Sequence, residues 1–134
     1  MNNSALIYKK LVKYGVKHVF GYSGGAIMPL MDQFHPNKNN DIDLIINSHE
    51  QNCGHAATGY AKSSGKTGVV LVTSGPGITN CVTPLLDAKN DSTPLIVVSA
   101  NVGLKHIGTN AFQEAPATLI TKPVTKWSHF ITDK

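Results

Sequence analysis

An α/β fold, a parallel sheet flanked by helices, is predicted by three features of this sequence. Strand-length apolar runs alternate at least three times with helix-length amphipathic stretches. Two of the runs, residues 68–73 and 94–100, are continuously apolar, as strands buried on both faces are. Turns rich in Gly, Ser and Pro follow the strands, which is where right-handed crossovers begin.

Taken in order, residues 4–14 read as a helix, with Ile7, Leu11 and Tyr14 on one stripe and Lys9, Lys13 and Lys17 on a solvated one. Gly15 is placed to end it, and residues 18–22 form a short strand. The Ser23-Gly24-Gly25 turn leads into a helix carrying Ile27, Leu30, Met31 and Phe34, in which Pro29 is tolerated because it falls in the first turn. Residues 35–41 are loop, and residues 43–47 are the next strand. Ser48-His49-Glu50-Gln51 has capping-box spacing, so Ser48 is expected to cap a helix running to about Ser64. Strand 68–73, the turn 74–77 and one helix to about Asn90 follow. Beyond the buried strand 94–100 comes a long loop, 101–117, and residues 124–131 are expected to add one more strand.

At 134 residues the chain is read as one domain, 1–134. With 41% hydrophobic and 15% charged residues it has apolar material for a core and is too weakly charged for a disordered tail. The net charge of +4 is carried by lysine alone, because all 12 cations are Lys and none is Arg. Without Arg the planar fork that reads base edges and clamps phosphate is missing, and no aromatics interleave the lysines, so a nucleic-acid partner is not expected. No apolar run approaches the 18 or so residues of a membrane span, and no secretory signal pattern opens the chain. Cys53 and Cys81 are isolated, which suits a reducing compartment, so the cytoplasm is the expected location.

Ligands of parallel sheets sit at the carboxyl ends of the strands, where four turns fall: 23–25, 48–50, 74–77 and the loop holding Phe112, Gln113 and Glu114. Glu50 and Glu114 are the two glutamates. Glu50, expected at the second position of a helix, either complements the helix dipole or is a positioned acid/base group in apolar surroundings, able to share a proton with a ligand nitrogen. Residues 75–80 imitate the dinucleotide fingerprint, but Asn80 stands where the third glycine belongs and no acidic residue ends the next strand. The Gly-Lys-Ser/Thr terminus of a P-loop is also missing. What remains is a turn a flat ligand can approach closely, with Asn80 offering donor and acceptor. His49-Glu50-Gln51-Asn52-Cys53 lacks the second His of a zinc-protease helix and no third ligand follows, so no metal ligands are assigned.

The segment 16–29 with its Phe-Gly-Tyr-Ser-Gly-Gly-Ala-Ile core, His49-Glu50-Gln51, Gly59-Tyr60-Ala61, the stretch 69–80 ending Thr-Ser-Gly-Pro-Gly-Ile-Thr-Asn, residues 91–94 and Gly108-Thr109-Asn110-Ala111-Phe112-Gln113-Glu114 together resemble the pyrimidine-binding domain of thiamine-diphosphate enzymes, most of all the acetolactate synthase (acetohydroxyacid synthase) catalytic subunit. The resemblance runs over nearly the whole chain. It implies that Glu50 bonds N1′ of the cofactor's aminopyrimidine and drives it toward the imino tautomer that takes the C2 proton. It implies that Gly24, Gly25 and Ala26 form the turn beside the thiazolium, with Gly25 nearest the chemistry. Pro76, Gly77 and Asn80 would line the aminopyrimidine, and Phe112 and Gln113 would reach the substrate. The implied reaction is decarboxylation of a 2-oxo acid such as pyruvate and carboligation to a second one, a step of branched-chain amino acid biosynthesis.

Family enzymes hold the diphosphate and Mg²⁺ on a Gly-Asp-Gly motif of a later domain, and the sequence has none. The resemblance thus implies an incomplete pyrimidine-binding domain, cut short at its C-terminal end and inactive alone. It also implies a homodimer or tetramer with the site at the subunit interface, and allows FAD in the full-length enzyme. Ser23, Ser48, Thr58, Gly103 and Asn110 depart from the usual pattern, which bears on acceptor specificity. Three alternatives stand beside this reading: a non-catalytic module that pairs with a full-length enzyme, another 2-oxo acid decarboxylase or carboligase, and a nucleotide-binding domain using the 75–80 turn.

Overall fold

The computed structural model describes residues 2–132; Met1, Asp133 and Lys134, which bound the expected 1–134 domain, lie outside the described residues. Four parallel strands, β1 (His18–Gly21), β2 (Asp43–Ile46), β3 (Gly68–Val72) and β4 (Leu95–Ser99), form one sheet in the order β2-β1-β3-β4. The expected parallel α/β architecture is therefore present.

β3 organises both sides of the sheet. Val69 and Leu71 face a cluster that includes Val19, Leu30, Phe34 and Tyr8, the last from helix α1 (Asn3–Lys13). Val70 and Val72 face the opposite cluster, with Phe20, with Cys53 and Ala57 of helix α3 (Glu50–Ser64), and with Leu85. Every residue of β3 is buried, as its unbroken apolar run requires, and each such valine or leucine contributes about 1.5–3 kcal/mol. The chain closes α1 on Gly15 and α3 on Gly65, at φ 75° and 70°, where a left-handed residue ends a helix without a Cβ penalty.

Several elements differ from the sequence reading. Tyr14 is not on the buried stripe: it is the C-cap of α1 and 77% exposed, because the helix turns over into Gly15 at that point. The helix after Gly25 is only α2 (Met28–Met31), which tightens into a 3-10 turn over Asp32–Phe34. Ser48 does not cap α3. His49 has the extended conformation of an N-cap and its Nδ1 accepts from the Gln51 amide at 3.1 Å, which makes Glu50 the first helical residue rather than the second.

The single helix expected after Ser74 is two, α4 (Pro76–Thr79) and α5 (Val82–Asn90). Pro84 has no N–H for the Asn80 carbonyl four residues back, so the ladder breaks between them. β4 is not buried on both faces, since it is the sheet edge and Ile96 is 48% exposed. Residues 124–131 form no strand. A short helix α6 (Ala117–Thr121) and a 3-10 turn (Lys122–Val124) precede an irregular segment tied back by a 2.8 Å hydrogen bond between the Thr121 and Ser128 hydroxyls.

Packing between α3 and α5 is close enough that a Cβ on Gly54 would overlap the Pro84 ring, whereas one on Gly59, further along α3, meets nothing within 4 Å. Gly54→Ala should cost about 1–3 kcal/mol through overpacking, and Gly59→Ala should gain up to about 1 kcal/mol from helix propensity. Urea unfolding of the two variants checks the opposite signs.

Candidate functional site

Strand order reverses between β1 and β3, and the carboxyl ends of strands flanking such a switch point are where open parallel sheets bind ligands. β1 ends at Gly21 and runs into Ser23-Gly24-Gly25-Ala26; β3 ends at Val72 and runs into Thr73-Ser74-Gly75 and α4. These two turns touch. A Cβ on Gly24 would sit 2.5 Å from Thr73 Cβ, so only glycine lets the β1 turn lie against the end of β3. Gly77 is buried against Thr73 and Val72, while Pro76 is exposed at the start of α4.

Glu50 enters from the neighbouring strand end. β2 and the Asn47 amide, bonded to the Gly21 carbonyl at 3.1 Å, carry the chain to His49 and place Glu50 at the first turn of α3. There the carboxylate is buried, 6% exposed, at the favourable end of a 15-residue helix. Asn80 Nδ2 donates to Glu50 Oε2 at 3.0 Å, across 30 residues of sequence. Asn80 lies in the joint between α4 and α5. No hydrogen bond to Glu50 Oε1 is formed among the described residues.

The third contributor is the loop after β4. Phe112 is 69% exposed, and its ring lies 3.7 Å from the position of a Cβ on Gly25. The Gln113 carbonyl packs onto Gly75, whose positive φ of 56° and crowded Cβ position both demand glycine. The residues singled out in the sequence thus form two contacts, Glu50 with Asn80 and Gly25 with Phe112, and Gly24 and Gly77 share Thr73. Ala26, half-buried in the same turn, joins neither contact.

Sequence reasoning passed over Thr73 and Ser74. Both are buried and their hydroxyl oxygens have no hydrogen-bond partner among the described residues, nor does Asn47 Nδ2. The signal was available: two polar residues directly after an apolar run are costly to bury unless something pairs with them. Among the described residues no group of three His, Cys, Asp or Glu side chains could hold a metal, and no helix is long and apolar enough to cross a membrane.

A parallel sheet with a buried glutamate, glycine-permitted backbone contacts and unpaired hydroxyls at its carboxyl edge defines a ligand-binding α/β domain. Residues 1–119 match the family model for the thiamine pyrophosphate enzyme, N-terminal TPP binding domain, and the chain belongs to that family. It is 50% identical over 123 residues to the mitochondrial acetolactate synthase catalytic subunit of Aspergillus candidus, covering 92% of this chain and 17% of that protein. It is 49% identical over 132 residues to the acetolactate synthase large subunit of Lactococcus lactis, covering 98% of this chain and 23% of that one. The mitochondrial acetolactate synthase of Schizosaccharomyces pombe is 46% identical over 128 residues, 96% of this chain and 19% of that protein. The chain therefore spans about a fifth of the length of these relatives.

Cys53 and Cys81 are fully buried behind Glu50. Burial pushes the Cys53 thiol up to about 11 and the Cys81 thiol up to about 12, with the Glu50 charge adding in the same direction. Unfolded thiols ionise near 9, so the stabilisation from keeping these protons is complete below that pH and is lost as pH rises through the folded values. Iodoacetamide at about pH 8 should leave both thiols unlabelled in the folded protein and modify both in urea, and mass spectrometry distinguishes the two outcomes.

Proposed function

We propose that this chain is the cofactor-facing N-terminal domain of an acetolactate synthase-like enzyme, one that decarboxylates a 2-oxo acid such as pyruvate and joins the product to a second 2-oxo acid. The observation that carries this reading is the buried Glu50 carboxylate, held by Asn80 through one oxygen and free to pair at the other, at the switch point of the sheet.

The residues present fit an aminopyrimidine. A flat ring with N–H donors and acceptors meets a carboxylate oxygen in need of a donor, and hydroxyls on Thr73 and Ser74 that have no partner among the described residues. Thiamine diphosphate, when bound, supplies the carbanion chemistry and the electron sink. Glu50 holds and returns a proton at Oε1, and does so in a site shielded from water, where a charge-assisted bond is strong. Asn80 and the Pro76-Gly77 turn orient the ring edge, and Gly24 and Gly25, with Ala26 adding only a methyl group, keep the turn beside the reacting atoms small. Phe112 and Gln113 border the substrate side: an exposed aromatic next to Gly25 offers an apolar wall to the alkyl group of a 2-oxo acid.

The absence of Arg suits this division of labour, because a domain that takes the pyrimidine end has no diphosphate to clamp. The diphosphate and Mg²⁺ are assigned to a further domain, the complete site to the interface of a homodimer or tetramer, and FAD is allowed in the full-length enzyme. The cytoplasm remains the proposed location, although two of the relatives are named as mitochondrial proteins.

In the complete enzyme, Glu50→Gln should lower acetolactate formation from pyruvate, with thiamine diphosphate and Mg²⁺ present, by about 10²–10⁴-fold. The same variant should still bind the cofactor, followed by calorimetry. Undiminished turnover would remove Glu50 from the role given to it.

A further inference from the structure

The second glutamate, Glu114, is given no role by the reading above, yet it carries an unusual load. Its Oε1 accepts from the Gly108 amide at 2.6 Å and its Oε2 from the Asn110 amide at 2.9 Å, and its own amide donates to the Ala111 carbonyl at 3.0 Å. A half-buried carboxylate thus closes the loop on itself through both oxygens. Inside that closure lie Asn110, Phe112 and Gln113, at φ 56°, 33° and 59°, a left-handed region that residues with side chains seldom enter. Three such residues within four positions persist only where surrounding contacts impose them.

The contacts that impose them are those of the site. The Gln113 carbonyl rests on Gly75 in the β3 turn, and the Phe112 ring rests beside Gly25 in the β1 turn. One end of the strained segment is held by these two glycines and the other by the Glu114 carboxylate. Without the carboxylate the Gly108 and Asn110 amides lose their acceptors and the left-handed run can relax, carrying Phe112 and Gln113 away from the sheet edge.

We infer that Glu114 is a positioning residue: it acts through the Gly108 and Asn110 amides to set Phe112 and Gln113 on the substrate side of the site, without touching cofactor or substrate. The inference rests on the function proposed above. It separates two roles by glutamate, Glu50 toward the cofactor and Glu114 toward the substrate, so the two can be told apart by which binding step each disturbs.

Glu114→Gln in the complete enzyme keeps shape and size but presents an NH₂ to one of the two amides. The variant should lose about tenfold or more in kcat/KM for pyruvate, mainly through KM, because a misplaced wall weakens substrate positioning. Its affinity for thiamine diphosphate should stay within about twofold of the unsubstituted enzyme, and hydrogen exchange at Gly108 and Asn110 should quicken about tenfold. Should Glu114→Gln fail to fold, Glu114→Asp, which keeps the charge and shortens the reach by one methylene, is read in the same way. Faster exchange with unchanged kcat/KM would overturn the inference, as would a loss of activity that follows cofactor affinity. Both outcomes leave the proposed function standing. Absence of pyruvate turnover in the unsubstituted enzyme would instead overturn that function and this inference with it.

Discussion

Burying β3 on both faces is the constraint from which the other features follow. A strand with no polar position has to lie inside the sheet with helices on each side, so β1 and β4 flank it and α1, α3 and α5 close over the two surfaces. Because all pairings are parallel, every carboxyl end lies on one edge, and the chain must turn there each time it leaves a strand. The β1 and β3 turns are pressed together at that edge. Gly24 against Thr73 and Gly75 against Gln113 are the places where the crowding is relieved by removing side chains.

The same edge is where polar groups are left over. Glu50, Thr73 and Ser74 are buried, yet of the three only Glu50 finds a side-chain partner among the described residues, Asn80 from the joint between α4 and α5. The incomplete satisfaction of these groups suits a surface made to be covered by a ligand, since buried polar atoms without partners cost free energy until something pairs with them.

Much of the fold was legible because it depends on local pattern. The unbroken run of β3, the alternation of strands and helices, the helix stop at Gly15 and the clustering of glycines after strands all report short-range requirements. The misreadings share a different origin. β4 is nearly as apolar as β3, and nothing within it says that no strand lies on its far side. Tyr14 fits a helical stripe that ends one residue too early, and His49 rather than Ser48 caps α3 because the backbone is still extended at His49. Residues 124–131 pair with no strand although the outer edge of β4 is open, and propensity without pairing does not make a strand.

The candidate site divides along the same line. Residue types and spacing alone picked out the candidate groups, a glutamate at a helix start, a glycine-rich turn with Asn80, and the Phe112-Gln113-Glu114 segment, because these follow from what each side chain is and where a strand ends. Only the tertiary structure decided who meets whom. The Glu50 to Asn80 bond spans 30 residues, Gly25 meets Phe112 and Gly75 meets Gln113 from separate turns, and Glu114 folds back on Gly108 and Asn110. Such pairings are set by strand order and by close packing of the whole sheet edge, and both depend on all the elements at once.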